Sequence, residues 1–493
     1  MKKTKKLASF SSGSNMKHLP FKSYLVVAGI VLQVLFFSCT RPTTSNEVSE
    51  SHVLPNIILI FADDLGYGDL SCFGNKAYTT PHLDQLARDG VKFTNFYTAP
   101  VCTPARASLL TGCYADRVGL PRVVGPKGPA WTKDLHRLGL NPGEQTIAEL
   151  LKEKEYATAC VGKWHLGHNP DHLPTNHGFD EYFGIPYSND MWPVNRSAWP
   201  PLPLMEGNRV IDTIETDQSH LTRQYTERAL DFITRKAGEP FFLYLAHSMP
   251  HVPLFVSPQG KGLSGAGLYA DVIREIDTSV GRIVKHLEEL NLSKNTLVIF
   301  TSDNGPWLSF GEHAGSAGEL REGKHTVFEG GVRVPFIAKW PAQVKPGGTR
   351  DQLAGVIDLL PTFADISGVP WPSKPIDGKS LKGILTKEDP MQEGRSTQFL
   401  WHNGQLKGLR KGNWKLVLPH SYASIIQPGI GGDPGQREKR EQPLALYDLG
   451  KDMGEENNLA AEEDSVVNHL LQIAQEHRKE LSANVRPALK VPE

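Results

Sequence analysis

Two apolar runs more than two hundred residues apart constrain this chain more than any other feature. Asn56–Ala62 (NIILIFA) carries no charge, is rich in isoleucine and is too short for an ordinary globular helix, which is the pattern of a strand buried on both faces of a parallel sheet. Asn295–Thr301 (NTLVIFT) repeats it, and Phe241–Ala246 (FFLYLA) supplies a third. The first run stops on Asp63 and Asp64, the second on Ser302, Asp303, Asn304 and Gly305. In open α/β sheets the carboxyl ends of the strands are where ligands bind. A turn rich in aspartate would account for Asp63 and Asp64 alone, but not for a second set at the end of a second core strand. Clustered carboxylates repel unless a cation neutralises them. Three carboxylates and an amide suit a hard divalent ion, calcium or magnesium, rather than zinc.

The rest of the chain fits an α/β reading. Pro81–Gly90, Gln145–Lys154, Tyr269–Leu290 and Ile357–Gly368 have helical spacing, and Tyr156–Val161 reads as a strand. Tyr182–Pro203 has no usable period and reads as a long irregular loop; its Trp192 and Trp199 either offer faces to sugar rings or pack the loop on its own domain. Beyond Pro370–Pro375 and Met391–Thr397, which read as linkers, short alternating segments broken by glycine point to antiparallel hairpins closed by a helix at Ser465–Ala483. At 493 residues, 39% hydrophobic and 22% charged, the chain suits one large domain (residues 55–390) with a smaller companion (391–493). A net charge of −1 without a basic block argues against a nucleic-acid partner.

Residues 1–39 are expected to be a targeting segment. Lys17 and Lys22 flank the start of an apolar run, Tyr24–Phe37, too short for a persuasive membrane span, and Met16 is an alternative start to Met1. The run ends in FFSCT, similar to a bacterial lipoprotein signal, which implies a lipidated Cys39, residues 40–54 as a tether, membrane attachment and a periplasmic or outer-membrane location. Of the five cysteines, Cys72, Cys113 and Cys160 are expected to be structural or free, with one disulfide at most.

The stretch APVCTPARASLLTG places Cys102, Pro104 and Arg106 in a C-x-P-x-R pattern ahead of a helical run. A reactive side chain at a helix start faces backbone N–H groups and the positive end of the dipole, which favours anions; a plain buried cysteine is the ordinary alternative. This string resembles the signature of type I sulfatases, in which the cysteine is oxidised to Cα-formylglycine. GKWHLG, with Lys163 and His165 two apart on an expected extended segment, resembles a second motif of that family. His251 in HSMPHVP and Lys324 in REGKHTVFEGG resemble two more of its positions, whereas His247 has no counterpart.

The resemblance, to the arylsulfatase A and N-acetylgalactosamine-6-sulfatase group, covers nearly all of Pro55–Ala460. It implies the alkaline phosphatase superfamily fold: a large, mostly parallel mixed sheet between helices, with a smaller C-terminal antiparallel sheet and helix. It implies one calcium ion at Asp63, Asp64, Asp303 and Asn304, faced by the modified Cys102, and a formylglycine-generating maturase as partner. Cys102, Arg106, Lys163, His165, His251 and Lys324 are the implied catalytic set, with Asp190, Arg196 and His420 near the mouth of the sulfate pocket. The implied substrate is a sulfated saccharide, a galactose or N-acetylgalactosamine unit of a glycosaminoglycan or algal polymer. The rivals are a phosphatase or phosphodiesterase on the same fold, and a glycan-binding lipoprotein should Cys102 stay unmodified.

Overall fold

Residues along each core strand divide between two hydrophobic layers. Ile57, Leu59 and Phe61 point to one side, and Ile58, Ile60 and Ala62 to the other. Phe242, Tyr244 and Ala246 part in the same way from Phe241, Leu243 and Leu245. Side chains alternate across a strand, so a strand covered on both faces must be apolar at every position. The computed structural model describes residues 54–386 and 394–492. The expected signal segment with Cys39, residues 40–53 of the tether and the expected boundary at 390/391 lie outside these residues.

The main sheet has eleven strands and is mixed. At its centre Thr296–Ser302, Asn56–Ala62, Phe241–Ala246, Ala157–Gly162 and Glu181–Gly184 run side by side and parallel. Arg333–Lys339 pairs antiparallel with Thr296–Ser302 and with Val91–Tyr97, and the hairpin Leu202–Glu206 and Arg209–Ile214 extends the other edge. Helices Leu221–Arg235 and Leu268–Glu289 cover one face, and Cys102–Thr111, Ile147–Lys152 and Leu359–Ser367 the other. Among the described residues no helix is long and apolar enough to cross a membrane.

The C-terminal part is a four-stranded antiparallel sheet, Thr397–His402, Gln405–Lys411, Trp414–Val417 and Ala445–Asp448, with a separate ribbon of His420–Gln427 and Gln436–Gln442. One face buries Leu406, Leu409 and Leu416 under Val467 and Leu470 of the helix Asp464–Ala483. The other packs Leu400, Val417 and Tyr447 against Tyr97, Phe328 and Val332 of the large unit.

Several local expectations are corrected. The Gln145–Lys154 helix shortens to Ile147–Lys152 because Thr146 and Glu149 form a reciprocal capping box that sets its start. Ile357–Gly368 becomes a helical turn over Val356–Asp358 followed by Leu359–Ser367, and Gly368, at φ 66°, ends it. Tyr182–Pro203 opens inside the strand Glu181–Gly184, whose few residues were too short to show a period. Lys163 and His165 do not lie on an extended segment: the strand ends at Gly162, and His165 takes a left-handed φ of 60°. Backbone bonds to Ala246, Ile185 and Pro186 bend the chain there. Cys72, Cys102, Cys113 and Cys160 are free thiols.

Candidate active site

Because four of the parallel strands are neighbours, their carboxyl ends bring the acidic residues and their partners to one edge. Asp63 and Asp64 follow the central strand, Asp303 and Asn304 its neighbour on one side, His251 the loop after its neighbour on the other, and Lys163 the strand beyond. Asp64 has a left-handed φ of 67°, and its backbone N–H donates to Asp303 Oδ1 at 3.0 Å, which locks the two strand ends together. Leu65 N–H donates to Ser302 Oγ at 3.0 Å.

Three cations answer the three carboxylates. Arg106, fully buried, donates to Asp303 Oδ2 at 2.9 Å, stands 3.5 Å from Asp63 Oδ2, and donates to the Lys163 carbonyl at 2.9 Å. Lys163 Nζ donates to Asp63 Oδ2 and, at 3.1 Å, to Ser188 Oγ. Lys324 Nζ donates to Asp64 Oδ1 at 2.6 Å and lies 4.6 Å from the centre of the Trp307 ring. Burial works to raise the Asp63 carboxyl, but the charges of Lys163, His251, Arg106 and Lys324 overcome it and hold it well below the usual range. Asp303 is pushed the other way, up to about 7, by burial and by the neighbouring Asp63.

Asp63 Oδ1, Asp64 Oδ2 and Asn304 Oδ1 are buried oxygens without a hydrogen-bond partner. Buried polar atoms without partners are rare, and three oxygens left open in one cluster of acidic residues fit a hard cation such as calcium. Carboxylate oxygens of Asp63 and Asp303 lie with Cys102 Sγ within 4.8 Å of one another, and Asp63, Asp64 and His251 make a second such group.

Cys102 is the first residue of the buried helix Cys102–Thr111. Thr103 fixes this end: its hydroxyl donates to the His165 carbonyl at 2.9 Å and accepts from Val124 N–H at 3.2 Å. Burial pushes the Cys102 thiol up to about 11 despite Lys163 and Lys324, so it is protonated at neutral pH and a poor nucleophile. His165 Nε2 lies 2.8 Å from the Val124 carbonyl, which can only accept; the proton is therefore on Nε2, and Nδ1 is free with no partner. Burial, then Lys163 and Arg106, lowers the His165 pKa far below its ordinary value and keeps the ring neutral. His251 donates from Nδ1 to the Val252 carbonyl at 2.5 Å and turns Nε2 to within 3.6 Å of Asp64 Oδ2. Burial and Lys324 lower its pKa as well.

Cys102, His165, His251 and Lys324 line one cavity of about 820 Å³, with Ser188 and Asp190 on its wall. Arg196 lies exposed on the outer part of its loop and is not among the lining residues. His420 bonds the Leu418 carbonyl at 2.7 Å and lies beside Phe328 and Tyr422; Ser421 and Tyr422, not His420, reach the cavity. Trp192 and Trp199 are buried, so they pack the loop. His247 is buried beside Tyr225. Sequence reasoning passed over Ser188, Asn189 and Trp307. Asn189 donates to the His251 carbonyl at 3.2 Å, but it and Ser188 come from a loop without periodicity. Trp307 had a signal, since it closely follows Asp303 and Asn304.

A strand-edge cluster of carboxylates and cations beside a buried helix start, on an alkaline-phosphatase-like fold, is a candidate hydrolase site for an anionic ester. Residues 55–369 match the sulfatase family and residues 393–490 the C-terminal region of aryl-sulfatase. The chain is 38% identical to mouse N-acetylgalactosamine-6-sulfatase (Mus musculus) over 87% of its length and 86% of that protein. It is 39% identical to bovine arylsulfatase A (Bos taurus) over 85% and 86%. Among solved structures, the PsFucS1 sulfatase from Pseudoalteromonas sp. superposes with a TM-score of 0.78 at 26% identity, covering 89% of this chain and 92% of that one. The chain belongs to the sulfatase family and is a sulfuric ester hydrolase.

Proposed function

We propose that the chain hydrolyses the sulfate monoester of a galactose or N-acetylgalactosamine unit in a glycosaminoglycan or algal polysaccharide. The observation that carries this is the grouping of Cys102 Sγ with carboxylate oxygens of Asp63 and Asp303 within 4.8 Å, with Cys102 itself lining an open cavity of sugar-accommodating size. The relative named for N-acetylgalactosamine 6-sulfate supports the sugar.

Oxidised to formylglycine by a maturase, Cys102 would supply the nucleophilic oxygen. Asp63, Asp64, Asp303 and Asn304 would hold calcium, which would supply positive charge against the sulfate. The protein's own groups do the rest. Arg106 holds Asp63 and Asp303 in register, and Lys163 and Lys324 add charge against the anion. Lys324, whose cationic form burial opposes but Asp64 favours more, gives a proton toward the departing alcohol, and His251 Nε2, unprotonated in the neutral ring, accepts a hydrogen bond from that alcohol. His165, neutral and with Nδ1 free, accepts a proton at the Cys102 position. Asp190, on the cavity wall, is the residue assigned in this reading to touch sugar. Export as a lipoprotein anchored through Cys39 belongs to the same reading.

The rival, a phosphatase or phosphodiesterase, calls for a serine or threonine nucleophile and histidine-rich ligands for two zinc ions, whereas the orphaned ligand atoms in this cluster are oxygens. The test is sulfate release by chain coexpressed with a maturase, using 6-sulfated galactosamine and galactose saccharides, with mass spectrometry of the Cys102 peptide and elemental analysis. Release that requires the modified peptide and bound calcium is expected. Turnover by chain with an unmodified Cys102, or release of phosphate but not sulfate, would overturn the reading.

A further inference from the structure

Lys407 is a buried ammonium group that has no counterion among the described residues. It is 9% exposed on the strand Gln405–Lys411, and its hydrogen-bonding neighbour is His402 Nδ1 at 3.5 Å. Among the described residues it has no ion-pair partner. A buried charge is costly unless it is paired, and burial accordingly lowers the Lys407 pKa. Lys407 lines the same cavity as Cys102 and Lys324, so the partner it lacks can reach it from there.

The surrounding wall has the same sign. Arg437, exposed on the ribbon strand Gln436–Gln442, and Arg122, exposed beyond the Cys102 helix, also line the cavity, and among the described residues neither is in an ion pair. Of the acidic groups nearby, Glu438 is held by Arg440 at 2.6 Å, and Glu441 is occupied by Lys439 at 2.7 Å. Asp190 is the remaining carboxylate on the wall. A chain with a net charge of −1 thus gathers three uncompensated cations in one cavity, apart from the three that hold the carboxylate cluster. The wall also carries Trp131, 48% exposed and set edge-on to Trp199 at 5.7 Å between ring centres. Trp131, rather than Trp192 or Trp199, offers an accessible indole. A cavity of about 820 Å³ has room for more than one sugar.

We propose that Lys407, Arg437 and Arg122 form a subsite for a second anionic group of the saccharide. That group is a uronate carboxylate or a further sulfate on the sugar next to the one bearing the scissile ester, and Trp131 stacks on that neighbouring sugar. The inference rests on the sulfatase reading for its substrate, but its binding test needs no turnover.

Calorimetry of the full chain would use three oligosaccharides of equal length. The first is a chondroitin 6-sulfate disaccharide with one uronate carboxylate and one sulfate, the second its carboxyl-reduced, singly sulfated counterpart, and the third a galactan disaccharide with two sulfates and no carboxylate. At least one doubly charged ligand is expected to bind about tenfold or more tightly than the reduced one, and more weakly as salt rises. Which of the two does so identifies the second anion as carboxylate or sulfate. Lys407→Met and the fully surface-placed Arg437→Ala should each cut that preference about tenfold, and Trp131→Ala should weaken all three ligands. Kinetically, the kcat/KM ratio of doubly to singly charged substrate should fall in parallel. Equal affinity for all three ligands, or a preference that survives both charge variants, overturns the subsite. Charge-dependent binding by maturase-treated chain without any sulfate release supports the subsite and instead defeats the galactose or N-acetylgalactosamine ester as substrate.

Discussion

At the scale of single residues, the site is made of groups whose chemistry depends on burial. Cys102 is 3% exposed and makes no hydrogen bond that holds the fold, so Cys102→Ala should abolish sulfate release, by at least ~1,000-fold, while costing only about 1 kcal/mol of stability. Steady-state kinetics beside thermal melts check this, and residual turnover near the wild-type rate refutes the role. Asp116 carries a different consequence of burial. Its Oδ1 is buried without a partner, and burial raises its pKa to about 7. A carboxyl whose folded pKa exceeds its unfolded value contributes stability that is present at low pH and lost as pH rises, here between about 4 and 7. Asp116→Asn should therefore match the wild type near pH 4 and exceed it by ~1–2 kcal/mol at pH 8, the residue's partial exposure reducing the full linkage value. Denaturant melts at both pH values decide it; no gain at pH 8 shows that the carboxylate is solvated.

At the scale of elements, strand ends matter more than strand middles. Gly162 ends its strand at φ 115°, and a Cβ there would come 1.8 Å from the Ala246 carbonyl oxygen of the adjacent strand. Gly162→Ala must therefore move backbone beside Lys163, and we expect a loss of ~3 kcal/mol or more together with reduced turnover. An unchanged melting temperature would show that the strand ends are not held so closely. The same glycine explains why an extended reading of Lys163 and His165 failed. Periodicity sees side chains alternate along a run, but it does not see a bend imposed by bonds to Ala246, Ile185 and Pro186 on other segments.

At the scale of the whole molecule, a buried ionic knot joins the small sheet to the segment that carries Lys324. Glu329 accepts from Lys415 Nζ at 2.9 Å and from the Tyr97 hydroxyl at 2.6 Å, and lies 3.3 Å from Arg333; Lys415 also pairs with Glu455 at 2.8 Å. These groups come from the main sheet, the active-site loop and the C-terminal sheet. Glu329→Gln removes one charge from a buried set and should cost about 3 kcal/mol, with a fall in turnover because Lys324 is five residues away on the same segment. Chemical unfolding and kinetics on the same preparation test both parts. A variant of normal stability would mean that the knot contributes no net stability.

By itself the sequence determined the apolar core strands, the acidic residues that end them and the cysteine at a helix start. Burial on both faces forces an unbroken apolar run, and a charged residue must end it. The motif residues Arg106, Lys163, His165, His251 and Lys324 were legible only because their short strings resemble motifs of the family; no local physical rule singles them out. Only the tertiary structure decided which strands are neighbours, and hence that Asp64 N–H bonds Asp303, that Lys163 meets Asp63 and that Lys324 meets Asp64. It alone separated Trp131, exposed on the cavity wall, from the buried Trp192 and Trp199, and showed Lys407 buried with no counterion among the described residues. Those outcomes depend on contacts between residues tens to hundreds of positions apart, and no local pattern carries that information.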